Sequence, residues 1–126
     1  MRSLEDTCSI AVVQAAPVLF DKEKCTQKVL DLMETCAAKG AELIVFPELF
    51  IPGYPYGMTF GFTVGSRNAD GRKDWKVYYD NSILADGEEM EQIKAAAKRL
   101  GVYVSIGYSE RDRTNATLYN SNMMIA

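Results

Sequence analysis

The sequence predicts an α/β fold built on a mixed β-sheet. Three observations predict it. Short apolar, β-branched runs alternate with helical stripes in the order strand, helix, strand. Two strand-like runs follow each other at the C-terminal end, separated only by a polar turn. Gly or Asp stands at the expected ends of the helical stripes.

The first strand is "SIAVVQAA", residues 9–16, bounded by Pro17 and read as buried. Asp21 then caps a helix that runs to about Lys39 and stops at Gly40. Its apolar positions Cys25, Val29, Leu32, Met33 and Cys36 share one face. The next strand, "ELIVF" (residues 42–46), lacks polar alternation, so both faces are expected to be covered.

Residues 47–72 carry five glycines and little regular pattern. A loop this long in a compact domain is functional or disordered. Phe50, Tyr54, Tyr56, Phe60 and Phe62 argue against disorder and for a segment folded over something. A short helix is expected over residues 74–84. A clearer one starts at Asp86 or Gly87, with Glu88, Glu89 and Glu91 early and Lys94, Lys98 and Arg99 late, the order that suits the helix dipole. Met90, Ile93, Ala97 and Leu100 form its buried stripe and Gly101 stops it. "VYVSIGY" (102–108) and "LYNSNMMIA" (118–126) are the last strands, joined by "RDRTNAT". The β-α-β opening implies a parallel pair with a right-handed crossover. The final pair reads as an antiparallel hairpin, which makes the sheet mixed.

The chain has 126 residues, enough for one modest domain, with 48% hydrophobic and 25% charged residues. A net charge of −3 without a basic tract argues against nucleic acid as a partner. No apolar run reaches the length of a membrane span. Acids precede the short apolar run near the N-terminus, unlike a signal peptide. Three cysteines, Cys8, Cys25 and Cys36, then suggest free thiols in a reducing, cytoplasmic setting. There is no histidine, which removes Ser-His-Asp and Cys-His catalysis and most zinc sites from these residues.

Glu48 follows the second strand directly, behind Pro47 and at the lip of the aromatic segment. Ligand sites in α/β sheets lie beyond the carboxyl ends of strands. An apolar pocket raises a carboxyl's pKa and makes it a usable general base or acid. From position alone, a solvated loop acid or a helix-cap partner is the simpler reading.

The wording of the segment shifts that balance. "FPELFIPGYP" resembles the glutamate signature of the nitrilase superfamily, the thiol-dependent carbon–nitrogen hydrolases. "IAVVQAAPVLFDKEKCTQKVLDLMETCAAKGAELIVFPE" matches the family's opening, and "FGFTVGSRNADGRKDWKVYYDNSI" looks like the nitrilase branch. "GVYVSIGYSERD" and "TLYNSNMMI" look like the strand pair before the family's lysine. Four blocks in the right order make the resemblance specific over nearly the whole chain.

The resemblance implies the N-terminal part of a four-layer α-β-β-α sandwich and one partial carbon–nitrogen hydrolase domain over residues 1–126. It implies conversion of a nitrile to a carboxylic acid and ammonia by Glu, Lys and Cys, without a cofactor. Glu48 matches the glutamate. The family's lysine and cysteine fall beyond residue 126. The three cysteines present are not substitutes: Cys25 and Cys36 lie on a helix face where cysteine acts as a small hydrophobe, and Cys8 precedes the first strand. Tyr54 matches the tyrosine of the family's "GYP"; a pocket wall and simple loop packing are equally open for it. Glu110 matches an acid in relatives, with a strand-end salt bridge favoured over catalysis. Arg67 and Arg72 are read as pinning the loop rather than binding a substrate carboxylate. Asn115 opens a formal glycosylation sequon, read as a turn. The implied partners are a small-molecule nitrile and further copies of the chain or a longer nitrilase chain. A non-catalytic paralogue that associates with full-length subunits is the alternative.

Overall fold

The computed structural model describes residues 7–61, 65 and 68–126. Its elements are β1 (Ile10–Val12), α1 (Lys22–Ala38), β2 (Leu43–Val45), α2 (Ala69–Asn81), α3 (Glu88–Leu100), β3 (Tyr103–Arg111) and β4 (Leu118–Ile125). The sheet order is β1-β2-β3-β4. β1 and β2 are parallel, β2 and β3 are parallel, and β3 and β4 form an antiparallel hairpin. The mixed sheet is as expected.

Both principal helices end as their sequences dictate. The Asp21 carboxylate accepts the Lys24 amide at 2.9 Å and opens α1. Gly40, at φ 88°, closes it. There the Gly40 amide reaches the Ala37 carbonyl, and the Ala41 amide joins the Lys39 amide on the Cys36 carbonyl, so the last carbonyls of the helix are used. Gly101 turns α3 off in the same way at φ 66°. Two ion pairs, Lys22–Glu89 at 3.2 Å and Glu34–Arg99, tie the helices side by side.

Register explains where the core sits. Ala11, Ile44, Val104 and Ile125 are paired across all four strands and face α1 and α3. Cys25, Val29 and Met33 from α1 and Met90, Ile93, Ala96 and Ala97 from α3 bury this face. Period-two alternation sends the neighbouring rows to the other side. Those rows are Ile10-Leu43-Tyr103 and Val12-Val45-Ser105-Met124. Val12 is 76% exposed, Met124 61% and Ile10 55%. The expectations of a buried first strand and a doubly covered second strand are therefore corrected. Both helices lie on one face, so only alternate side chains are covered. One helical layer on one sheet accounts for half of a four-layer sandwich.

In the described part of the segment after β2, helix begins sooner than expected. The helix expected over 74–84 starts earlier, at Ala69, because the Asn68 side chain caps it by accepting the Asp70 amide. Phe60 packs on two of its residues, Trp75 and Tyr78, with ring centroids 5.7 and 5.8 Å apart. Phe62 and Arg67 lie outside the described residues.

Candidate active site around Glu48

β3 is the spine on which the site is built. The Phe46 amide donates to the Ser105 carbonyl at 2.8 Å, and the Phe50 amide to the Gly107 carbonyl at 2.9 Å. Two residues of β3 are thus spanned by four of the neighbouring chain. Residues 47–49 must arch out of the sheet between those bonds, and Leu49 takes a left-handed φ of 47°, uncommon for a residue with a side chain. Ile51 then rejoins β3 in a parallel bridge to Tyr108, accepting the Ser109 amide at 2.8 Å.

Gly107 is the seat of the arch. A Cβ there would stand 2.6 Å from the Pro47 carbonyl oxygen and 2.7 Å from both the Glu48 Cα and the Leu49 nitrogen. Only a residue without a side chain lets the arch lie this close. Glu48 therefore occupies the crest, on the sheet face opposite α1 and α3. Asn120 of β4 donates from Nδ2 to Glu48 Oε1 at 2.5 Å.

Glu48 is exposed. The expectation of an acid enclosed by an apolar pocket is not met. The reason is its place on the sheet face whose rows are left open. A groove of about 770 Å³ runs between the end of α3 and residues 123–126, and Glu48 is not in its wall. Phe50 is buried against Phe46, with centroids 5.6 Å apart. Tyr54 is half exposed and pairs with Tyr56 at 6.0 Å. The Tyr78 hydroxyl donates to the Gly53 carbonyl at 3.1 Å and fixes the turn just before Tyr54.

The remaining candidates resolve as follows. Cys25 is buried, its Sγ donates to the Val18 carbonyl at 2.9 Å, and burial pushes its thiol pKa up, as suits a packing residue. Cys36 and Cys8 are partly covered. Glu110 is not in a salt bridge among the described residues. It accepts the Ser121 hydroxyl at 2.6 Å and lies beside the Tyr108 phenol. Arg72 forms no ion pair among the described residues, so the expected pinning is not seen there. At the hairpin turn, the Asn115 side chain accepts the Thr117 amide at 2.8 Å.

Sequence reasoning missed Gly107 and Asn120. The signal for Asn120 is present in "LYNSNM", where Asn120 and Asn122 alternate onto the same face as Met124. That period ordinarily marks a solvated strand face, so it reports the face on which Asn120 stands and not the residue it meets. Gly107 is a lone glycine inside a β-branched strand, which points to close backbone approach.

Comparisons with known proteins bear on the family and the fold. The carbon–nitrogen hydrolase family matches residues 9–126. The chain is 45% identical over 109 residues to an aliphatic nitrilase of Sinorhizobium fredii, covering 86% of this chain and 35% of that protein. It is 39% identical over 122 residues to a bromoxynil-specific nitrilase of Klebsiella pneumoniae subsp. ozaenae, covering 97% and 33%. The chain thus spans about a third of the length of these relatives. Among solved structures, XC1258 of Xanthomonas campestris, a CN-hydrolase superfamily protein with an arsenic adduct in its active site, superposes with a TM-score of 0.63 at 19% identity, over 94% of this chain and 36% of that one. The strand order, the helix pair on one sheet face and the family match over residues 9–126 together mean that the chain belongs to the carbon–nitrogen hydrolase family.

Proposed function

We propose that this chain is the glutamate-bearing part of a nitrilase, which converts a nitrile to a carboxylic acid and ammonia. The observation that carries the reading is Glu48, set on an arch seated over Gly107, in a segment whose sequence is 45% identical to a nitrilase. In this reading Glu48 takes the proton of a cysteine thiol as sulfur adds to the nitrile carbon. The nitrile nitrogen gains protons and the thioimidate adds water. The tetrahedral adduct then loses ammonia to leave a thioester. Glu48 next activates a second water, which frees the acid and restores the thiol. The net reaction consumes one nitrile and two waters. A lysine ammonium offsets the charge that develops in the tetrahedral state, so no histidine is required. Thiol and ammonium come, in this reading, from polypeptide outside residues 1–126. Tyr54 forms part of the substrate wall once that polypeptide covers the open face.

The left-handed Leu49 supports the assignment. Such backbone conformations cost energy, on the order of 1–3 kcal/mol, and cluster where a side chain must be aimed. Relatives named for an aliphatic substrate and for bromoxynil leave the nitrile class open.

A second reading is favoured by one observation, the uncovered apolar face carrying Val12 and Met124. In it the chain is non-catalytic and associates with full-length nitrilase subunits or with copies of itself.

A chimera separates the two. Residues 9–126 replace the matching segment of the Sinorhizobium enzyme, and ammonia release is measured across a nitrile panel. The expected result is turnover by the chimera, none by the 126-residue chain alone, and loss of about 10²-fold or more in kcat for Glu48→Gln in the chimera. Turnover that survives Glu48→Gln removes Glu48 from the mechanism. A folded but inactive chimera favours the non-catalytic reading.

A further inference from the structure

We infer that Asn120 is the positioning residue for the Glu48 carboxylate, an inference that rests on the catalytic reading of Glu48 given above. The backbone of the arch is seated by Gly107, but that seat does not aim the side chain. Glutamate has three side-chain torsions, and an exposed glutamate samples many of them. The contact from Asn120 Nδ2 to Glu48 Oε1, at 2.5 Å, joins residues 72 positions apart in the chain. It is the side-chain bond to Glu48 among the described residues.

The register makes this contact a property of the hairpin. Asn120 pairs with Ser109, and Asn122 with Gly107, so Asn120 is diagonal to the glycine over which the arch passes. Cross-strand diagonal neighbours lie within reach of long side chains, and the close seat of the arch on Gly107 brings the Glu48 Cα directly over β3. The partner position is itself held: the Ser109 hydroxyl is buried against the Ser82 hydroxyl, which donates to it at 2.8 Å, and the Ser109 amide bonds Ile51. Both ends of the Glu48–Asn120 bond are therefore referred to β3.

The choice of donor fits the task. An amide N–H is neutral and fills one carboxylate oxygen. Oε2 is left with its lone pairs for proton transfer. A lysine or arginine here would form an ion pair and lower the basicity that a general base needs. Asn120 thus fixes one oxygen and leaves the other for chemistry.

Two measurements test the inference independently of each other. In the 126-residue chain, one Asn120 side-chain amide proton is expected at a hydrogen-bonded, downfield NMR position, returning to the ordinary asparagine range in Glu48→Ala. An Asn120 amide that is unaffected by Glu48→Ala overturns the inference, whatever the enzyme does. In the chimera, Asn120→Leu removes the donor at similar volume and is expected to lower kcat about 10²-fold, the scale of a misplaced catalytic group, with KM within about twofold of the parent. Asn120→Gln, which keeps the amide, is expected to recover part of kcat. Unchanged kcat in Asn120→Leu, or a loss carried by KM alone, also overturns it. An inactive parent chimera would instead count against the catalytic reading, while the amide resonance still decides whether Asn120 holds the acid.

Discussion

Tyr108 shows at the residue scale how a polar atom in the core is kept neutral. It is 1% exposed, and its hydroxyl lies beside Glu110. Burial, then the charge of Glu110 and a hydrogen bond to it, push the phenol pKa up from 10 to about 12. The sign of the consequence follows from proton counting. Between pH about 10 and about 12 the unfolded chain has lost this proton and the folded chain has kept it. The neutral phenol therefore contributes its full stabilisation below pH about 10, and that contribution is lost as pH rises through about 12. A rise of that size corresponds to about 3 kcal/mol at most. Tyr108→Phe should be flatter than the parent over that window when denaturant midpoints are followed against pH. Equal slopes would mean that the phenol is already free to ionise in the folded chain.

At the element scale, the regular parts of the fold were legible and the arch was not. Asp21, Gly40 and Gly101 mark helix ends because each satisfies backbone groups locally, within a few residues of itself. The stripe of Met90, Ile93, Ala97 and Leu100 is likewise a local pattern; the first three are buried as read and Leu100 is partly covered. The start of α2 at Ala69 was missed because its cap, Asn68, sits inside a glycine-rich stretch that masks the helical signal. Glu48 was legible through the resemblance of its segment, whereas its surroundings depend on β3 and β4, some 60 and 72 residues further along the chain. No local pattern reports such distant pairing. The arch itself yields a test. In Gly107→Ala the new Cβ meets backbone at three points within 2.7 Å, and backbone yields less readily than a side-chain tip. A loss of about 1–3 kcal/mol is expected, the usual cost of overpacking. The Phe50 amide, which bonds the Gly107 carbonyl, should also exchange faster with solvent. Ser105→Ala, on the same sheet face, removes an exposed hydroxyl bond to Asn122 and should cost about 0.5 kcal/mol, the low end for a hydrogen bond. Equal effects of the two substitutions would show that the arch does not rest on Gly107.

The whole molecule presents one finished face and one open one. α1 and α3 cover the first completely enough that Ile44, Val104 and Ile106 have no exposure. On the second, Ile10, Val12 and Met124 are open to solvent and Leu43, Val45 and Tyr103 are half covered, giving a contiguous apolar patch across all four strands. Such patches are rare on proteins that remain alone in solution. Among the described residues the short edge strand β1 pairs only with β2, which leaves its outer edge as a further place for association. The 126-residue chain is therefore expected to associate with itself as concentration rises, by stacking this face. Val12 is the best probe, because at 76% exposure its replacement leaves the core under α1 and α3 untouched. Burying a valine contributes about 1.5 kcal/mol or more, so Val12→Lys should weaken association about tenfold or more, with little change in the unfolding midpoint of the monomer. Sedimentation velocity over a concentration series reads both species directly. If the parent sediments as a monomer throughout, or if Val12→Lys associates as strongly as the parent, the open face is not what brings the chains together.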